Sequence, residues 1–82
     1  MMNPRITAAS SIENFQIHLT FSNGEQGVFD AKPYLQYPAF IALNDADYFA
    51  KLKPSHGTIE WPNGVDFDPD TLFLESNKLK TH

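Results

Sequence analysis

The chain of 82 residues is 41% hydrophobic and 13% aromatic, with a formal net charge of −4. That length bounds it to one domain, the apolar content excludes a disordered chain, and the acidic balance argues against wrapping nucleic acid, whose phosphates need clustered Lys and Arg. The absence of cysteine removes disulfide and thiolate chemistry and fits a reducing, cytoplasmic compartment. Met1-Met2-Asn3-Pro4-Arg5 has no apolar run behind it, so no signal peptide is read. No stretch reaches the roughly 18 apolar residues of a membrane helix. A domain this small buries only about 60% of its unfolded surface, so dimerisation is an accessible route to added stability.

The first part reads as three strands, at 5–12, 15–21 and 25–30. Phe15, Ile17, Leu19 and Phe21 alternate with Gln16, His18 and Thr20, the pattern of a half-buried strand. A two-residue turn at Glu13-Asn14 places Ile12 opposite Phe15, Ala8 opposite Leu19 and Ile6 opposite Phe21, all on the apolar face. The next turn has two solutions. A loop of Asn23-Gly24 alone puts Phe29 on the polar face; a loop of Ser22-Asn23-Gly24 puts it opposite Ile17 on the apolar face. The longer loop is preferred, because burying Phe29 is worth about 2 kcal/mol.

The middle is irregular. Pro33 opens one short helix, Pro38 another, and Asp45 caps a third containing Tyr48 and Phe49. Tyr34, Tyr37, Phe40 and Phe49 read first as core cover, with a ligand pocket or partner surface as the other reading. Lys51-Leu52-Lys53 is read as a strand, joined by Pro54-Ser55-His56-Gly57 to a second strand at 58–61, which sets Leu52 opposite Ile59 and Lys51 opposite Glu60.

Pro62-Asn63-Gly64 then fits a three-residue hairpin loop, with proline at the first corner and glycine in the left-handed position. Trp61 faces Val65, Glu60 faces Asp66 and Ile59 faces Phe67. Ile59, Trp61, Val65 and Phe67 share one face; Thr58, Glu60, Asp66 and Asp68 share the other. Asp68-Pro69 starts a helix that runs to Glu75 or Ser76 and buries Leu72 and Phe73. The expected fold is α+β: two antiparallel three-strand meanders joined by short helices, with a C-terminal helix. Residues 1–76 form the domain, and 77–82 a disordered tail.

The run Gly57-Thr-Ile-Glu-Trp-Pro-Asn-Gly-Val-Asp-Phe-Asp-Pro-Asp-Thr-Leu72 resembles the signature of a small bacterial family known as domain of unknown function 2442. Leu19-Thr20-Phe21-Ser22-Asn23-Gly24, followed by Val28-Phe29-Asp30, is similar to that family's first half, so the resemblance spans Ile6 to Leu74. It implies an α+β domain without an assigned activity or defined catalytic residues. Some relatives carry a helix-turn-helix domain after this one, and others resemble partners in two-protein modules of toxin–antitoxin type. Only eight residues follow Leu74, too few for a helix-turn-helix, so DNA binding is not carried over.

One row carries chemistry: Lys51–Glu60–Asp66. Two opposed carboxylates can share a proton, hold a cation or resemble the pair of a retaining glycosidase, but a solvated sheet face lacks the cleft that sugar chemistry needs. The plain reading is a charge-balanced face. Asp66, Asp68 and Asp70 begin like a calcium loop, but Pro69 intrudes and Thr71 stands where glycine is required. His18, His56 and His82 are scattered, and no serine sits in a nucleophile elbow. The expectation is therefore a non-catalytic interaction or regulatory module without metal or cofactor. Glu60, Asp66 and Asp68 meet a protein partner of basic charge, and Trp61, Pro62, Asn63 and Gly64 serve the fold. A second copy of the chain is the other partner considered; nucleic acid and membrane are not. The competing expectation is a small ligand-binding protein or enzyme that uses the Glu60/Asp66 face with the middle aromatics.

Overall fold

The computed structural model describes residues 3–79. Strands β1 (Ile6–Ile12), β2 (Gln16–Phe21) and β3 (Gln26–Asp30) form the expected first meander. Two 3-10 segments, Lys32–Tyr34 and Pro38–Asn44, lead to helix α1 (Ala46–Phe49). The hairpin of β4 (Lys53–Ser55) and β5 (Thr58–Glu60) follows, then α2 (Pro69–Glu75) and β6 (Asn77–Leu79). The class is α+β, with one four-stranded sheet ordered β1-β2-β3-β6 and one two-stranded sheet, β4-β5.

The β2–β3 register is the one that buries Phe29: Ile17 lies opposite Phe29, and Gly24 closes the loop at φ +88°. The β1–β2 register holds at Ile6 opposite Phe21 but slips by one toward the hairpin, with Ala9 opposite Leu19 and Ile12 opposite Gln16. The cause is a turn one residue longer than expected. Asn14 and Phe15 both take positive φ, 61° and 57°. A bulge between Ile6 and Ala8 absorbs the extra residue, so Ala8 and Ile12 face solvent while Ala9 packs against the core. Phe15 is held in its unusual conformation by an edge-on contact with Phe49 at 5.3 Å and by the Ala31 amide, which donates to its carbonyl at 3.0 Å.

The second half departs further from expectation. His56 and Gly57, at φ 51° and 80°, form a two-residue turn of the kind that matches strand twist, in place of a four-residue loop. The hairpin therefore pairs Lys53 with Glu60, Pro54 with Ile59 and Ser55 with Thr58. Residues 65–67 are joined to β5 by a single bridge, Glu60 to Asp66, and do not make a full third strand.

Asn77–Leu79 is not a loose tail. It forms β6 against β3, with Lys78 opposite Gly27. The absence of a side chain on Gly27 makes this approach possible: a Cβ there would lie 3.0 Å from Ser76 Oγ and 3.2 Å from the Asn77 carbonyl. Lys78 reaches back to the end of α2, donating to the carbonyls of Phe73 and Ser76, with its ammonium 4.1 Å from the Phe73 ring centre. A cation is favoured at that helix end. Residues 80–82 lie outside the described residues.

One core joins the two sheets: Ile6, Ile17, Leu19, Phe21 and Phe29 from the first, Ile59, Trp61, Phe67 and Leu72 from the second half. Phe67 lies between rings. It stacks on Phe40 at 4.6 Å and meets Phe29 and Tyr34 edge-on at 5.3 and 5.4 Å.

Candidate functional site

The loop Trp61-Pro62-Asn63-Gly64 fixes where the acidic residues stand. The Trp61 amide donates to the Val65 carbonyl at 2.9 Å, and the Gly64 amide donates to the Trp61 carbonyl at 2.9 Å. Asn63 Oδ1 accepts from the Val65 amide at 3.1 Å, and the Asn63 amide donates to the Tyr48 hydroxyl at 2.8 Å. Gly64 has φ +87°. Trp61 is 1% exposed, and its indole N–H donates to the Phe49 carbonyl. Trp61, Asn63 and Gly64 thus each bond within the chain, around the turn that the sequence placed here.

Trp61 opposes Val65 as a hydrogen-bonded pair, and the Phe67 amide reaches the Ile59 carbonyl at 3.4 Å. Glu60 and Asp66 between them are therefore a non-hydrogen-bonded pair, the kind whose side chains stand closest. Both point away from Trp61 and Phe67. Glu60 is half-buried and Asp66 exposed, and no side chain or amide among the described residues bonds either carboxylate.

The cation in this row is Lys53 and not Lys51. Moving the turn to His56-Gly57 shifts the register by two residues, so a lysine still faces Glu60, but a different one. Lys51 lies in the turn after α1, its ammonium 6.0 Å from the Tyr48 ring centre. Lys53 opposes Glu60 without a close ion pair; Lys32 with Asp30, at 3.4 Å, makes the ion pair found among the described residues.

Asp68 is on the same side of the chain but is already occupied. Its Oδ2 accepts from the Thr71 amide at 3.2 Å and from the Thr71 hydroxyl at 3.1 Å, capping α2. Thr58, expected on the polar face, is 8% exposed, and its hydroxyl donates to the Phe67 carbonyl. Asp70 accepts from the Asn3 side-chain amide at 3.3 Å. His18 bonds Gln26 across the outer sheet face at 2.9 Å. Among the described residues no three His, Cys, Asp or Glu side chains gather as metal ligands.

The middle aromatics lie on the other side. Phe40 and Tyr34 pack on Phe67, the inward neighbour of Asp66, and Phe49 is buried beside Trp61 at 5.8 Å. Tyr37 alone of the four is exposed, at 50%. The carboxylate pair and the aromatic set thus occupy opposite faces of one strand. The Tyr34 hydroxyl also bonds Glu75, a contact that spacing in the sequence could not signal. That bond, then burial, then the Glu75 charge push the Tyr34 phenol up to about 12.

No helix among the described residues is long and apolar enough to cross a membrane. Comparison with curated proteins and with solved structures finds no match. A family model matches residues 6–78, nearly the whole described chain, under the description "Protein of unknown function (DUF2442)". The chain belongs to the DUF2442 family of proteins of unknown function.

Proposed function

We propose that this domain is a non-catalytic interaction module, the regulatory half of a small two-protein assembly, which meets a basic partner through Glu60 and Asp66. The observation that carries this reading is the opposed pair itself. Two carboxylates are held side by side on an exposed face, bonded to nothing else described, in a chain of net charge −4. Opposed like charges cost stability, and a basic side chain seated between them removes that cost while the acidic field speeds its approach. Asp68 contributes charge to this field but stays bound to its helix. The separation of the carboxylates from the aromatic set favours a contact surface over a ligand site, because a ligand site would need both on one face. The two-protein setting rests on analogy with the resembled relatives.

The test starts from a partner captured on the untagged chain from its native cells. Its association rate is then measured against salt for the natural chain and for Glu60→Lys with Asp66→Lys. The charge reversal is expected to slow association by about tenfold or more at low salt, with the difference shrinking at high salt. A partner whose association ignores the reversal, or a turnover abolished by Glu60→Gln, overturns the reading.

A further inference from the structure

Strand β6 is the least anchored part of the four-stranded sheet. It is three residues long, against five in β3 and six in β2. None of its residues belongs to the buried core, and Leu79 is 45% exposed. Ser76 alone joins it to α2, in extended backbone at φ −76° and ψ 148°. Lifting β6 away therefore turns on one residue and withdraws no side chain from the core.

What holds it in place follows from the register. The Phe21 amide donates to the Glu25 carbonyl at 2.8 Å, and the Ala31 amide to the Phe15 carbonyl at 3.0 Å, so Glu25, Gly27, Phe29 and Ala31 turn their backbone groups toward β2. Gln26 and Val28 turn theirs toward β6, where they meet Leu79 and Asn77. Between them, Lys78 opposes Gly27 as a non-hydrogen-bonded pair, the kind whose side chains stand closest. Gly27 has no side chain, so the lysine stem crosses it. The ammonium comes 5.5 Å from the ring centre of Phe21 on β2 and 4.1 Å from that of Phe73 on α2. It also donates to the carbonyls of Phe73 and Ser76. No carboxylate among the described residues pairs with it. The ring faces attract a cation, and the end of α2 carries negative partial charge; both attractions vanish with the charge of the lysine.

We propose that β6 is a strap latched by the charge of Lys78, which opens at Ser76 while β1, β2 and β3 stay paired. In the closed form the strap covers the N–H and C=O groups of Gln26 and Val28, and the ammonium lies near the ring of Phe21, which is 1% exposed. In the open form those backbone groups and the end of α2 meet water. The latch is the charge and not the bulk of the side chain, so keeping the stem and losing the ammonium releases the strap. Glu60 and Asp66 take no part in it.

Amide exchange of the full chain at low urea tests it. In the natural chain the amides of Gln26, Val28, Asn77 and Leu79 are expected to exchange about tenfold or more faster than those of Ile17 and Phe29, and with little dependence on urea. Lys78→Met keeps the stem and removes the charge. It is expected to speed the first set by about tenfold again and to leave the second set unchanged. Lys78→Arg keeps the charge and is expected to stay closer to the natural chain than to Lys78→Met. Two sets that exchange together in the natural chain overturn the proposal. So does a Lys78→Met that speeds both sets alike or neither, and a Lys78→Arg that matches Lys78→Met shows that charge is not the latch.

Discussion

Trp61 donates its indole N–H to the carbonyl of Phe49 at 2.9 Å, so the aromatic anchor of the second half also satisfies the free end of α1. The carbonyls at a helix end lack intrahelical partners, and this one lies in the core. Trp61→Phe removes the donor and part of a ring that is 1% exposed. The Leu52 amide, at 3.4 Å, remains on that carbonyl, so we expect a loss of about 2 kcal/mol, combining one lost buried hydrogen bond with a cavity. Urea unfolding checks this; a midpoint near that of the natural chain would show that the bond carries no weight.

Two glycines should respond differently to alanine. Gly64 has φ +87° and open space where a Cβ would go, so Gly64→Ala costs about 1 kcal/mol by backbone conformation alone. Gly27 has no such φ but faces Ser76 and Asn77 at contact distance, so Gly27→Ala should lift β6 off β3. Amide exchange separates them. Gly27→Ala is expected to expose the amides of Asn77–Leu79 selectively, whereas Gly64→Ala lowers global stability.

Tyr34 sets an alkaline limit. Its phenol is raised from 10.0 to about 12, chiefly by its bond to Glu75. Because the folded value lies above the unfolded one, the folded chain holds this proton more tightly. The associated stability is fully present below pH 10 and is lost as pH rises to about 12. Glu75→Gln removes the charge, so Tyr34 should ionise at lower pH. Ultraviolet titration of the tyrosinate band measures it, and an unchanged titration curve would contradict the assignment.

Glu60 and Asp66 should be better apart than together. Asp66→Asn relieves the opposed charges and is expected to stabilise the fold by roughly 0.2–1 kcal/mol, more at low salt. Asp68→Ala is expected to act in the opposite direction, losing about 1 kcal/mol of cap energy. Thermal unfolding at two salt concentrations distinguishes them. A destabilising Asp66→Asn would mean that the carboxylate has a structural partner.

Much of the chain could be read from local rules, because the forces concerned act between near neighbours. Alternation placed Ile17, Leu19 and Phe21 in the core, and the choice of the Ser22-Asn23-Gly24 loop followed from burying Phe29. Asn63-Gly64 and Asp68-Pro69 announced a turn and a cap, and each is where the sequence put it. The acidic pair followed from that turn, so Glu60 opposite Asp66 was legible as well. Lys53 was not, because a two-residue and a four-residue turn both keep a lysine on that face, and the pattern alone does not separate them.

Sequence by itself determined the class, the core faces of β2 and β3, the Trp61 loop and the family, since side-chain period, turn chemistry and capping are local properties. Tertiary structure decided the rest. Phe15 takes a positive φ because Phe49 waits beside it, and that extra turn residue forces the β1 bulge and turns Ile12 outward. Asn77–Leu79 becomes a strand because Gly27, more than 40 positions earlier, leaves room and Lys78 finds the end of α2. Contacts between distant residues repay their ordering entropy only once the fold has brought them together, so no local pattern announces them.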